Sequence, residues 1–154
     1  MTEADRGPTA TNRGAGSWNE QVIDEFRAGK ERIANMFDRS ALLLLHTVGA
    51  RSGEPRTSPV AYFRDGERYL VVASAAGRDQ HPAWYFNLLA HPEVTAEVWA
   101  DDAIDAFPAT AAPLEGEERD ALWAQITAQA PGFADYQTKT TRVIPVVELR
   151  RRPA

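Results

Sequence analysis

The sequence predicts a mainly β protein of the α+β class, an antiparallel barrel with about three peripheral helices. Three observations carry this expectation. There are about six strand-like runs, most of them are joined by links too short for parallel crossovers, and strand and helix do not alternate as a doubly wound parallel sheet requires. The 154 residues make one domain of ordinary size, and 44% of them are hydrophobic, enough to bury a core.

Residues 1–16 are small and polar with almost nothing to bury, so ordering them would cost backbone entropy without return. They are expected to form a disordered tail, with residues 17–150 as the single domain. Ser17-Trp18-Asn19-Glu20 has capping-box spacing, and Trp18, Val22, Ile23, Phe26, Ile33, Met36 and Phe37 follow at helical intervals. A helix over Trp18–Phe37 is the expectation, with Gly29 weakening its middle by about 1 kcal/mol relative to alanine. Leu42–Val48 reads as a buried strand. Ser58–Phe63 and Tyr69–Ser74 read as a hairpin around the Asp65-Gly66 turn signal. Pro82 suits the first turn of a short helix that His91-Pro92 stops. Glu93–Ala100 alternates as a two-faced strand, Asp101-Asp102 turns the chain, and Ala103–Ala112 carries Pro108, which suits an edge or bulge. Glu115–Gln129 reads as a helix whose acidic start favours its dipole. Phe133–Gln137 reads as a short helical turn and Val143–Leu149 as a last strand made irregular by Pro145.

Composition excludes several functions. With 17 basic and 22 acidic residues the net charge is −5, the wrong sign for neutralising nucleic-acid phosphates. The absence of cysteine removes disulfides, thiolate metal sites, iron–sulfur clusters and cysteine nucleophiles. His46, His81 and His91 share no metal-ligand spacing, so no metal site is expected. The longest apolar run, Ala41–Leu45, is far shorter than the roughly 20 residues of a membrane span, and the chain start lacks a secretory apolar centre. The charges of the first helix are not net basic, so membrane association is peripheral at most. A cytoplasmic protein is the expectation.

Three stretches could carry chemistry. Gly49-Ala50-Arg51-Ser52-Gly53-Glu54-Pro55-Arg56 joins two strands and could aim guanidinium groups and backbone N–H groups at one anion, or be a plain hairpin loop. It is neither a Walker A loop nor a dinucleotide fingerprint. Ala73-Ser74-Ala75-Ala76-Gly77 is small enough for a flat ring to approach the backbone. The helix start at Ala83-Trp84-Tyr85-Phe86-Asn87 adds aromatic surface and a polar handle, or is simply core. Pro131–Gln137 sets Phe133 and Tyr136 on a loop that could be a lid or a plug.

Taken together, LLLLHTVGARSGEPRTSPV, RDGERYLVVASAAG, HPAWYFNLLAHPEV, EGEERDALW and PGFADYQTKTTRVIPVVEL resemble, in order, the deazaflavin-dependent nitroreductase family. The resemblance runs from about Ser17 to Glu148. It implies a split β-barrel of the FMN-binding type, the cofactor F420 (8-hydroxy-5-deazaflavin), and hydride transfer to an electron-poor acceptor such as a quinone, enone or nitro compound. By the same resemblance Arg51, Ser52 and Arg56 hold the cofactor's phosphate and acidic tail, with Ala50 where a further basic residue is often found. Pro59 and Ala61 line the ring pocket, Val72, Ala73, Ser74 and Ala75 run beside ring and phosphate, and Ala83, Trp84, Tyr85, Phe86 and Asn87 close the other side. Ser74 and Tyr136 are the implied catalytic residues, and with Phe133 they face the substrate. Ala75 replaces a common lysine, and Phe133, Ala130 and Ala61 replace tyrosines, which weighs against nitro-drug reduction. A protein without cysteine can still do redox work when a cofactor brings the reactive atom. The rival reading is a non-catalytic split-barrel module for a flavin, haem or lipid. A small-molecule acceptor and a homodimer are the partners the resemblance allows.

Overall fold

The computed structural model describes residues 13–153, with side chains from Trp18 onward. Six antiparallel strands form a closed barrel: β1 (Leu42–Val48), β2 (Pro55–Asp65), β3 (Arg68–Val72), β4 (Glu93–Ala100), β5 (Ala103–Pro113) and β6 (Val146–Arg151), in the order β1-β2-β3-β6-β5-β4. Around them lie four α-helices: α1 (Arg13–Arg27), α2 (Ala83–Ala90), α3 (Gly116–Gln129) and α4 (Gly132–Thr138). The expected barrel is therefore present, with one helix more than expected.

Side-chain alternation divides the apolar residues between the barrel interior and two outer layers. Leu43, Leu45, Tyr69, Val71, Val94, Ala96, Phe107, Val147 and Leu149 fill the interior, and Trp84 and Leu88 of α2 join them. Leu42 and Leu44 face outward and pack with Val22 and Phe26 of α1 and with Ile33. Leu70, Val72 and Val146 face outward beneath Leu122 and Ile126 of α3. The unbroken LLLL run of β1 thus reflects a strand covered on both faces.

The first helix departs from expectation at both ends. It begins at Arg13, so Ser17 lies inside it rather than capping it, and residues 13–16 belong to the helix rather than to a tail; residues 1–12 lie outside the described region. It stops at Arg27 instead of Phe37. Gly29, at φ +78°, takes the left-handed position after the helix, with Lys30 N–H donating to Glu25 O and Gly29 N–H to Phe26 O. This is the Schellman arrangement, so the glycine terminates the helix rather than weakening its middle. Arg39 Nη1 donates to Gly29 O at 2.7 Å and Trp99 Nε1 to Phe26 O at 2.9 Å, satisfying the helix end. Ile33 and Phe37, which share the helical period, instead form a two-residue ladder register pair.

Other boundaries shift by a few residues. The last strand starts at Val146, after Pro145, and runs to Arg151. Residues 132–138 form a helix rather than a single turn. Pro108 sits within β5 where pairing with β6 runs out: the ladder starts at Ala109↔Arg151, and Pro108 O accepts from Arg152 N–H. β2 is longer than expected. Its residues 55–61 pair with β1 alone, because β3 joins only from Tyr62↔Val71. The barrel is therefore split along this stretch, and Pro59 costs no hydrogen bond on the open side.

Arg68 ties hairpin, α3 and β6 together. Its guanidinium donates to Glu148 at 2.7 Å, Glu118 at 2.9 Å and Asp65 at 3.0 Å, and these carboxylates raise its affinity for the proton. Arg68→Ala leaves the largely buried Glu148 with only the exposed Arg150 as partner. We expect it to lower unfolding free energy by roughly 3 kcal/mol in urea titration; an unchanged midpoint would show that the network contributes nothing.

Candidate active site

Strand direction gathers the marked segments at one end of the barrel. β1 ends and β2 begins there, giving the loop 49–54; β3 ends there, giving 73–82 and α2; β5 ends and β6 begins there, giving α3 and α4. The other end carries the short turns at 66–67 and 101–102 and the segment after α1.

The loop 49–54 is pinched shut from within. Gly49 N–H donates to Glu54 O at 2.8 Å and Gly53 N–H to Gly49 O at 3.0 Å, with Gly53 at φ +72°. A Cβ on Gly49 would stand 2.4 Å from Ser52 Oγ, which accepts from Glu54 N–H at 3.2 Å. Ser52 thus turns inward and shapes the loop. Arg51 is exposed and has no ion-pair partner among the described residues. Arg56 is half-buried, with Nη1 donating to Pro55 O and lying 3.9 Å from Glu54 Oε1.

Asn87 of α2 fixes the loop from beneath. Its Oδ1 accepts from Ala50 N–H at 3.0 Å and its Nδ2 donates to Thr47 Oγ1 at 3.1 Å, both in a buried setting. Both ends of the amide are occupied, so Asn87 positions the loop. Trp84 packs in the barrel core, and Val72 and Ala73 are also buried. Around the opening, Pro59, Ala61, Ser74, Ala75 and Tyr85 are half-buried, and Ala50, Ala83 and Phe86 are exposed. Alternation turns Pro59 and Ala61 outward, because Val60 and Tyr62 pack against the interior; Ala61 meets the α1 cluster.

The turn after β3 is strained. Ala75 and Ala76 have φ of +47° and +55°, and Gly77 has +83°; each left-handed alanine costs roughly 1–2 kcal/mol. Arg142 holds this turn. Its Nη1 donates to Ala73 O at 3.1 Å, Nη2 to Ser74 O at 2.7 Å and Nε to Arg78 O at 2.8 Å. Its Nη1 also donates to His81 Nδ1 at 3.0 Å, which places the His81 proton on Nε2. Burial, helped by Arg142, pushes the His81 imidazole below its ordinary value, so it stays neutral near pH 7. Sequence reasoning missed Arg142 and His81. The only signal for Arg142 was one cation directly before the apolar Val143-Ile144.

The helix that carries Tyr136 is seated on the turn that follows Ser74. A Cβ on Gly77 would lie 2.8 Å from Tyr136 O and 3.1 Å from Lys139 Cβ, so α4 rests directly on the turn that follows Ser74. Both hydroxyls are half-buried and make no hydrogen bond among the described residues. Phe133 packs edge-on between Phe63 and Tyr136, with centroids at 5.9 and 6.0 Å, and is part of the outer cluster beneath α3. Tyr85 lines a hollow of about 530 Å³ with Pro113, Leu114, Val143 and Pro145 at the same end. Among the described residues no cluster of His, Asp and Glu could hold a metal ion, and no helix is long and apolar enough to cross a membrane.

The groups at this end fit an anionic, ring-bearing ligand: Arg51 has no ion-pair partner among the described residues, residues 55–61 of β2 pair on one side only, and the Ser74 and Tyr136 hydroxyls make no hydrogen bond among the described residues. With the six-strand barrel this defines the class, a split-barrel protein. A family model described as F420H(2)-dependent quinone reductase matches residues 18–150, and the chain belongs to that family. Coenzyme F420 is accordingly its cofactor, and the chain is an F420-dependent reductase. An F420H(2)-dependent quinone reductase of Mycobacterium tuberculosis is 42% identical over 113 residues, covering 71% of this chain and 73% of that protein. A solved F420H2-dependent reductase superposes with a TM-score of 0.61 at 39% identity, over 71% of this chain and 94% of the other. A second solved structure, a domain-swapped dimer, gives a TM-score of 0.64 at 35% identity over 89% and 99% of the two chains. The haem storage protein of Vibrio cholerae, at 20% identity and a TM-score of 0.60, shares the fold alone.

Because Gly77 has no room for a side chain and sits at positive φ, Gly77→Ala should separate the Ser74 turn from α4. The expected result is a loss of roughly 2–3 kcal/mol in stability, from backbone strain and overpacking combined. Wild-type unfolding free energy in this variant would show that the contact is not tight.

Proposed function

We propose that the chain holds reduced F420 along the open face of β2 and passes its reducing equivalents to a quinone. Arg51 and Arg56 hold the phosphate and acidic tail, on a loop that Ser52 and Asn87 keep in shape. Pro59, Ala61 and Ala75 border the ring, with Ala83, Tyr85 and Phe86 across from them, while the buried Val72, Ala73 and Trp84 support the walls. The cofactor, when bound, supplies a hydride; the quinone gains that hydride and one proton and becomes the hydroquinone.

The observation that carries this reading is the seat of α4 on Gly77, where the backbone of Tyr136 meets the turn that follows Ser74. Ser74 and Tyr136 donate hydrogen bonds to the acceptor oxygen as negative charge develops on it, and Phe133 backs the phenol. His81 and Arg142 do not move protons in this scheme; they fix the backbone that carries Ser74. A homodimer is part of the same reading, supported by the related domain-swapped dimer and by the unpaired edge of β2. A cytoplasmic location belongs to it as well and rests on sequence composition.

Two predictions test this reading. Arg51→Ala and Arg56→Ala should each weaken F420 binding by about 1–3 kcal/mol in fluorescence titrations, the range for lost charge-assisted contacts. Parental affinity in both variants would place the phosphate elsewhere. Ser74→Ala and Tyr136→Phe should slow menadione-dependent reoxidation of reduced F420 by about 10- to 100-fold while cofactor affinity is kept. Unchanged turnover would remove both hydroxyls from the reaction.

A further inference from the structure

The open hollow of about 530 Å³ beside α2 has no role in the reaction as described so far. Its size lies within the range of about 300–1,000 Å³ that small-molecule sites occupy. Its walls are Tyr85 from α2, Pro113 and Leu114 at the end of β5, and Val143 and Pro145 from the segment before β6. That segment is fixed from two sides. Gln137 of α4 donates from Nε2 to Arg142 O at 2.7 Å and accepts at Oε1 from Ile144 N–H at 3.0 Å, while Arg119 of α3 donates from Nη2 to Ile144 O at 2.5 Å. Ile144 is buried in the cluster beneath α3, whereas Val143 keeps 66% of its surface exposed. A rigid backbone thus holds an uncovered valine at the hollow.

The charges around the hollow select against an ionic ligand. Arg119 is engaged by Ile144 O, by Asp120 Oδ1 at 3.2 Å and by the ring of Trp123, whose centroid lies 4.8 Å from the guanidinium carbon. Its Nε is buried without a partner among the described residues, so it offers nothing at the opening. An anion entering the hollow meets the carboxylates of Glu115 and Asp120, and a cation meets Arg119. Burial and the Glu115 charge push the Tyr85 phenol up, so that wall stays neutral. The complementary occupant is a neutral apolar group, which gains by leaving water.

Contacts link the hollow to the reacting end. The ring of Tyr85 lies 4.7 Å from that of His81, His81 accepts from Arg142, and Arg142 donates to Ser74 O. On the cofactor placement proposed above, Tyr85 borders the ring of F420 and so stands between that ring and the hollow. A quinone lying on the ring can extend an apolar chain past Tyr85 to Val143.

We propose that this hollow is a specificity subsite that takes an apolar substituent of the quinone, with Val143 as its determinant. The inference rests on the placement of F420 and of the acceptor beside Ser74 and Tyr136. No bond changes in the subsite. The hydride and the proton go to the quinone as before, and the chain adds binding alone.

The test compares reoxidation of reduced F420 by menadione and by menadione carrying a decyl chain beside its methyl group, below the concentration at which the chain aggregates. The proteins are the parent, Val143→Gln, Val143→Ile, Ser74→Ala and Tyr136→Phe. Glutamine is neutral, so Arg142 and the acidic rim keep their charges. In the parent, kcat/KM for the decyl compound should exceed that for menadione by at least roughly tenfold, the factor that two buried CH₂ groups supply. Val143→Gln should cut this preference by roughly fourfold, through KM, the factor of one CH₂ group. Its menadione kinetics and F420 affinity should stay parental, and Val143→Ile should keep the preference. In carbon NMR of the parent with oxidised F420, the Val143 methyl signals should shift with the decyl compound and not with menadione. Equal kcat/KM for the two quinones in the parent, or an undiminished preference in Val143→Gln, overturns the subsite while slowed menadione turnover in Ser74→Ala and Tyr136→Phe keeps the acceptor where it is placed. Parental menadione turnover in both of those variants overturns the placement and the subsite together. Should Val143→Gln fold poorly, the parent's NMR response decides, and methyl signals that ignore the decyl compound overturn the proposal.

Discussion

Arg142 reaches across the top of the barrel and donates to the carbonyls of Ala73, Ser74 and Arg78 and to His81, with no ion pair among the described residues. Burial pushes its guanidinium below its ordinary value, a tendency the Asp79 charge opposes, and the carbonyl dipoles supply its hydrogen-bond partners. Hydrogen bonds from a charged donor contribute about 1.5–3 kcal/mol each. Together they can offset two alanines held in the left-handed region at roughly 1–2 kcal/mol apiece. The Ser74 turn thus keeps its shape through a side chain 68 residues away in sequence. Remove that clamp and the alanines have every reason to relax, taking Ser74 and the seat of α4 with them.

This long-range dependence explains which parts of the structure were legible in the sequence. Strand alternation in residues 93–100, the Asp101-Asp102 turn and the acidic start of α3 are local signals, and the structure follows them. The end of α1 misled because Ile33 and Phe37 keep helical spacing, while the glycine between them and Phe26 sets a left-handed stop. Periodicity reports which residues are apolar, and the conformation of one backbone position decided what they build. In the site, the loop 49–54 was legible because glycine, serine and arginine crowd into one short link. Arg142 and His81 were not, since their roles depend on carbonyls and a ring nitrogen that only the closed barrel brings within reach.

The split in the barrel also explains how one sheet carries both a core and a binding face. Residues 55–61 of β2 send Val60 inward, while Thr57, Pro59 and Ala61 face out. Pairing with β1 alone leaves their far edge open, and proline is tolerated there because no ladder bond is asked of it. The same stretch carries Arg56 near its start, so on the proposed reading a ligand gripped by the loop is led onto a surface of small side chains.

Electrostatics sharpen this arrangement. The chain carries a net charge of −5, yet it takes an anionic cofactor, so the attraction must be local. At physiological salt, charges beyond about 8 Å are largely screened, which leaves Arg51 and Arg56 to act at the loop while the acidic groups of α3 act on their own surroundings. Ala50 and Ala75 stand where the family pattern often has cations, so this chain grips the anion with fewer charges. Each remaining contact then carries a larger share of the binding. A hydrogen bond of fixed direction selects an orientation as well as a charge. Hydride transfer depends on that orientation, since the reacting atoms must lie about 3–3.5 Å apart. On the proposed reading, a site with few cations therefore favours alignment of the ring over sheer affinity for its tail.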